Sequence, residues 1–116
     1  MTDKTAALAS RACVPCSGGV PLLTSAESGE LLQQLEGWQI VDGHHLTKEY
    51  RFRDFVEALS FVNRVGEVAE QNGHHPDIWL GWGRVQIELY THKVNGLTES
   101  DFVVASKCDR VLPTPP

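Results

Sequence analysis

The sequence predicts an α+β domain: a two-layer sandwich with a four-stranded antiparallel sheet and helices on one face, in the order α-β-β-α-β-β-α. Three observations carry this expectation. Phe55, Ala58, Leu59, Val62, Val65 and Ala69 recur at helical spacing between Asp54 and Gly73. Val85, Ile87, Leu89 and Thr91 alternate strictly with Gln86, Glu88, Tyr90 and His92, the period of a half-buried strand. Asp42-Gly43 separates two β-prone runs and is a strong two-residue hairpin signal. Three apolar helix sides need a cover, and one sheet face supplies it. The other face is left for solvent or a partner subunit.

Each element has local signals. Thr24-Ser-Ala-Glu27 reads as a capping box that starts the first helix, and Leu31, Leu32 and Leu35 form its apolar side. Gly29 weakens that helix by roughly 1 kcal/mol relative to alanine, and Gly37 suits its stop. In the first hairpin Leu46, Tyr50 and Phe52 share one face, and Thr47, Glu49 and Arg51 the other. Asp54, with Glu57 three residues on, opens the second helix; Asn72-Gly73 closes it, because glycine accepts the left-handed conformation of a helix stop. Ile78, Leu80 and Trp82 then alternate with Trp79 and Gly81, which predicts Trp82 in the core, with Gly83-Arg84 as the turn. Asn95-Gly96 breaks the chain after the last strand. Thr98 and Asp101 cap a third helix whose apolar side is Phe102, Ala105, Cys108 and Leu112.

Composition narrows the function. The 116 residues suit one domain, placed at 23–112, with a flexible tail at 1–22 and a short one at 113–116. A formal net charge of -5 argues against broad nucleic-acid binding, which needs a basic surface. No run approaches the roughly 20 apolar residues of a membrane span, and the first residues lack a secretory layout. Three cysteines, an odd and low count, do not describe a secreted disulfide scaffold, so cytoplasmic residence is expected. Cys13 and Cys16 form a C-x-x-C, but in a Gly/Ser-rich setting without the helix start that redox motifs use.

The chemistry is expected in "AEQNGHHPDIW", where His74 and His75 follow a helix stop and precede Pro76. A residue before proline avoids helical angles, so His75 is extended and the two rings diverge. If the following hairpin turns at Gly83-Arg84, His92 at the far strand end returns beside them. Imidazoles titrate near neutrality, so such a cluster holds a proton donor and a proton acceptor together. Glu70 stands four residues before His74 and can hold one ring in a chosen tautomer. A three-histidine metal centre is the rival reading, without an HExxH-type spacing to support it. Trp79 points away from the core and can stack on a flat ligand. His44 and His45 flank a turn and are expected to be exposed and without function.

"AEQNGHHPDI", "VQIELYTH" and "GLTESDFVVA" together resemble the pterin-4a-carbinolamine dehydratase family. The shared pattern is a Glu followed four residues on by His-His-Pro, a Thr-His at a strand end, then Gly-Leu-(Ser/Thr) and an Asp opening the last helix. The resemblance runs from about Leu22 to Val111. It implies dehydration of a 4a-hydroxytetrahydropterin to the quinonoid dihydropterin, which recycles the pterin of aromatic amino-acid hydroxylases such as phenylalanine hydroxylase. It implies no metal or organic cofactor, and a homodimer or homotetramer. By motif, His74, His75 and His92 are the catalytic residues, and Glu70, Tyr90 and Thr91 line or support the pterin site. Gly73 adjoins the pair where many relatives carry Asp, and Trp79 sits where relatives vary. Alternatives are a non-catalytic pterin-binding role, the transcription-factor dimerisation role known for animal members, or a metal-dependent enzyme using the same histidines.

Overall fold

The computed structural model describes residues 22–112; Cys13, Cys16 and most of the two expected tails lie outside the described residues. The elements are α1 (Ser25–Leu32), β1 (Gln39–Val41), β2 (His45–Arg51), α2 (Phe55–Asn72), β3 (Asp77–Gly81), β4 (Arg84–Leu89), a 3-10 turn (His92–Val94) and α3 (Glu99–Arg110). The order is the expected one. The four strands form one antiparallel sheet, ordered β1-β2-β4-β3. None of the described helices is long and apolar enough to cross a membrane.

Local chemistry accounts for most boundaries. The Thr24–Glu27 capping box forms in both directions, at 2.9 and 3.1 Å, and those bonds hold the Glu27 carboxyl below its ordinary range. Asp54 Oδ1 accepts the Glu57 amide at 2.9 Å. At the first hairpin Asp42 and Gly43 both take positive φ, 54° and 63°, and the His44 amide closes the turn on Val41 O at 2.9 Å. That is the geometry an Asp-Gly pair favours.

The second hairpin departs from expectation by one residue. Gly81 pairs with Arg84, so the loop is Trp82-Gly83 and not Gly83-Arg84. Gly83 takes φ +64° there, and a Cβ would lie 2.9 Å from Phe52 O, so the turn puts glycine where a side chain is both strained and blocked. Trp82 consequently sits on the loop, 74% exposed, and not in the core.

The core lies between the sheet and the helices. Leu46, Tyr50, Val85, Ile87 and Leu89 come from the sheet; Ala58, Phe61, Val65 and Val68 from α2; Phe102, Val103, Val104, Ala105 and Cys108 from α3. The buried side of α2 is rotated from the expected stripe. Phe61 and Val68 are buried, whereas Phe55 and Leu59 are exposed beside Val56. This helix is apolar on more than one side, and packing against the sheet chose between them. On α3 every residue from Ser100 to Ser106 is buried, because the helix packs against α1, α2 and β2.

Cys108 is fully buried, and burial, followed by the nearby Asp109 charge, pushes its thiol up to about 12. The thiolate is the reactive form. We therefore expect a chain with Cys13 and Cys16 replaced by serine to show no thiol reactive to a disulfide reagent near neutral pH until it is unfolded. Labelling of the folded chain at the unfolded rate would contradict the packing.

Candidate active site

The site is built at one end of the sheet, around the exit of β4. Helix α2 stops at Gly73, whose left-handed backbone (φ 60°, ψ 30°) turns the chain back on itself. The His74 amide still bonds to Ala69 O at 3.2 Å, which seats His74 against the helix end. Asn72 is tied to both helices: it donates to Val68 O at 2.7 Å and accepts from Lys107 Nζ at 2.9 Å. β3 then runs antiparallel to β4 with Asp77 opposite Glu88, so the His-His-Pro segment lies alongside the end of β4.

His74 is buried, 6% exposed, and its Nε2 is 2.6 Å from Oδ1 of Asp101, which is wholly buried in the first turn of α3. The other oxygen, Oδ2, accepts the Thr91 hydroxyl at 2.9 Å and the Thr98 amide at 2.8 Å. With Thr91 donating to Asp101, the Thr98 hydroxyl donates to Thr91 Oγ1 at 2.9 Å. One carboxylate thus accepts from a ring, a hydroxyl and a helix amide. Such charge-assisted bonds are short and strong. They assign the proton of His74 to Nε2 and leave Nδ1 as the basic nitrogen of the neutral ring.

His75 is exposed and pairs through Nε2 with Glu70 Oε2. The ring Glu70 holds is therefore His75; His74 is held by Asp101. Both members of the Glu70–His75 pair face solvent, so it orients the ring more than it stabilises the fold.

His92 does not end a strand, as its alternation suggested. β4 stops at Leu89, Thr91 and Gly96 form an isolated bridge, and His92 opens the 3-10 turn between them. Its ring is exposed and lies against Tyr90, centroids 4.2 Å apart. Asn95 closes the turn in a left-handed conformation (φ 52°), with its amide on His92 O.

Gly73, His74, His75, Thr91, His92 and Lys93 line one open pocket of ≈ 180 Å³. The structure therefore gathers the three candidate histidines, with Gly73 and Thr91, around a shared space. Tyr90 sits behind His92, and Glu70 behind His75. Trp79 is not among the lining residues: it is half-exposed on β3, opposite Gln86. A larger groove of ≈ 410 Å³ on the open sheet face, lined by Gly37, Gln39, Thr47, Lys48, Glu49 and Gln86, contains no histidine. Among the described residues, no group of three His, Cys, Asp or Glu stands at metal-binding spacing.

Sequence reasoning missed four participants. Asp101 was visible as a helix cap, and the second use of its carboxylate depends on a partner 27 residues away. Lys93 carried no signal. His44 and His45, expected to be exposed, are half-buried and belong to a ring series running through Tyr90 to His92.

Comparison with known proteins agrees with this geometry. The family model described as pterin 4 alpha carbinolamine dehydratase matches residues 21–111. A relative from Rubrobacter xylanophilus is 61% identical over 104 residues, covering 90% of this chain and 97% of its own. One from Alkaliphilus metalliredigens is 51% identical over 104 residues, covering 89% and 94%. Both are named, provisionally, pterin-4-alpha-carbinolamine dehydratases. The crystal structure of a transcriptional coactivator/pterin dehydratase from Brucella melitensis is similar at TM-score 0.76 and 37% identity, covering 80% of this chain and 100% of that one. With a family match across most of its length and relatives at such identity, this chain belongs to the pterin 4 alpha carbinolamine dehydratase family, a family of hydro-lyases.

Proposed function

We propose that this chain removes water from a 4a-hydroxytetrahydropterin by histidine general acid–base catalysis, giving the quinonoid dihydropterin. The observation that carries the reading is that His74, His75 and His92 line one pocket while each ring is held by a different partner: Asp101, Glu70 and Tyr90. The reaction breaks the C4a–O bond and forms a C4a=N bond to the adjacent ring nitrogen. His75 or His92 supplies a proton to the departing oxygen, which leaves as water. His74 Nδ1 takes the proton from the ring nitrogen. The buried Asp101 carboxylate, 2.6 Å from Nε2, stabilises the imidazolium that results. One proton is given and one taken, so solvent exchange restores the site.

In this reading the product feeds the reduction that returns the pterin to aromatic amino-acid hydroxylases, and the chain works in the cytoplasm. It acts as a homo-oligomer, dimeric or tetrameric. Phe55, Val56 and Leu59 on α2 and Trp79 and Trp82 on the β3 hairpin support that, being large apolar side chains left in solvent on the single chain. A coactivator role, part of the name of the Brucella melitensis structure, draws no support from a chain of net charge -5 whose histidines surround a pocket.

The test is spectrophotometric turnover of a freshly generated 4a-hydroxytetrahydropterin, with and without prior dialysis against a chelator. We expect dehydration well above the spontaneous rate in both arms, and sedimentation of the same preparation above monomer mass. No acceleration would refute the dehydratase reading, loss of turnover only after chelation would favour a metal enzyme, and a monomer would refute the oligomer.

A further inference from the structure

We propose that His44 is a positioning residue for His92, holding the segment that carries the exposed imidazole from both ends. Resting on the dehydratase reading, the assignment adds a residue that neither the family motif nor the pocket lining contains.

The sheet order makes the contact. β4 is central, with β3 on one side and β2 on the other. Leu46 pairs with Leu89, so the residues just before Leu46 lie beside those just after Leu89. Both histidine doublets therefore flank the same three residues, Tyr90 to His92, from opposite sides.

His44 touches this segment twice. Its ring packs on Tyr90 at 4.5 Å between centroids, tilted 43°, and Tyr90 packs in turn on His92 at 4.2 Å, tilted 38°. Its Nε2 is 2.8 Å from Oδ1 of Asn95, the residue that closes the 3-10 turn on His92 O. The ring is gripped ahead of His92 through Tyr90 and behind it through Asn95.

The hydrogen bonds also select one tautomer. Asn95 Oδ1 accepts, so His44 carries its proton on Nε2. Its Nδ1 then accepts from Nδ1–H of His45 at 3.2 Å. His45 Nε2 lies 3.7 Å from Glu88 Oε1, too far for a hydrogen bond, so the support for His44 ends at the His45 ring. An orienting bond to Asn95 thus has its own support behind it.

The need for such a clamp follows from exposure. His74 is fixed by burial, whereas His92 faces solvent on a three-residue turn, where burial does not select its rotamer. Catalytic groups must be held close to productive geometry by neighbours that are themselves locked, and a misplacement of about 1 Å costs up to about 10²-fold in rate.

The experiment uses the full chain and four variants: His44→Ala, Asn95→Gly, Asn95→Asp and the pair His44→Ala/Asn95→Gly. Glycine keeps the left-handed backbone at position 95 while deleting the acceptor; aspartate keeps the acceptor oxygen. We expect His44→Ala and Asn95→Gly each to lower kcat roughly 10- to 100-fold with KM within about twofold. Asn95→Asp should recover most of the wild-type kcat. The double variant should lose little more than either single one, because both changes break the same link. The ring carbon–proton resonance of His92, identified by its absence in His92→Ala, should shift in the two damaging variants and return in Asn95→Asp.

An unchanged kcat in His44→Ala overturns the proposal, as does a lowered kcat with the His92 resonance unmoved. If wild-type chain fails to dehydrate the pterin, the dehydratase reading fails, and the His92 resonance by itself decides whether His44 positions that ring.

Discussion

Replacing His74 with alanine is expected to lower dehydration turnover by roughly 10²–10⁴-fold, the usual worth of a positioned acid–base group. His92→Ala should cost at least about tenfold, on the same grounds. The more informative variant is Asp101→Asn. Its amide oxygen must take the place of Oδ2, because the Thr98 backbone amide and the Thr91 hydroxyl both donate there. The NH2 group then faces His74 Nε2, where the carboxylate oxygen now sits at 2.6 Å. Two donors cannot share that position, so His74 shifts its proton to Nδ1, which then no longer serves as a base. The shape of the site survives while its protonation pattern inverts. We expect turnover to fall by roughly 10²-fold or more with KM little changed. Wild-type kcat in both His74→Ala and Asp101→Asn would remove His74 from the chemistry.

The second large effect concerns stability. Asp109, near the end of α3, gathers three donors onto one carboxylate. Tyr50 Oη donates at 2.6 Å and Lys48 Nζ at 2.9 Å, both to Oδ1, and Trp38 Nε1 donates at 3.0 Å to Oδ2. Lys48 also donates to Glu36 O at 2.8 Å, and its ammonium lies over the Tyr50 ring, 4.8 Å from the centroid. The Lys48 and Asp109 side chains are 15% and 12% exposed, so little water is available to replace a lost partner. Burial first, and then the Asp109 charge, push the Tyr50 phenol far above its ordinary value, so it remains a donor. Asp109→Ala leaves a mostly buried ammonium, a phenol and an indole N–H without their acceptor. The expected loss is about 3–5 kcal/mol, that of breaking a buried ion pair from one side. A shifted urea midpoint at unchanged slope reads it directly. A loss below about 1 kcal/mol would mean that the pair behaves as a solvated surface bridge.

How much of this could be read from residues alone depends on the reach of each interaction. The capping box at α1, the Asp54 cap of α2, the Asp42-Gly43 turn and the Gly73 stop involve residues at most five apart, and each was legible. The alternation of β4 likewise fixed which side chains face the core, down to Thr91. The turn at Trp82-Gly83 was misplaced by one residue because the clash that selects it is with Phe52, a residue of another strand's end. The buried side of α2 was misread because apolar residues alone do not say which of two faces meets the sheet.

The candidate site divides along the same line. His74, His75 and His92 were identifiable by type and by motif, and their convergence needed only one hairpin. Their supports were not identifiable. Asp101 reaches His74 across 27 residues, and Asn95 reaches His44 across 51. These contacts exist because β4 pairs with β2 as well as β3, bringing both histidine doublets to its exit. Strand order is chosen by burial of the whole apolar face, a sum over every element at once. Local sequence therefore named the imidazoles and the places where the chain bends, while the global packing decided which carboxylate, amide and ring hold each imidazole in place.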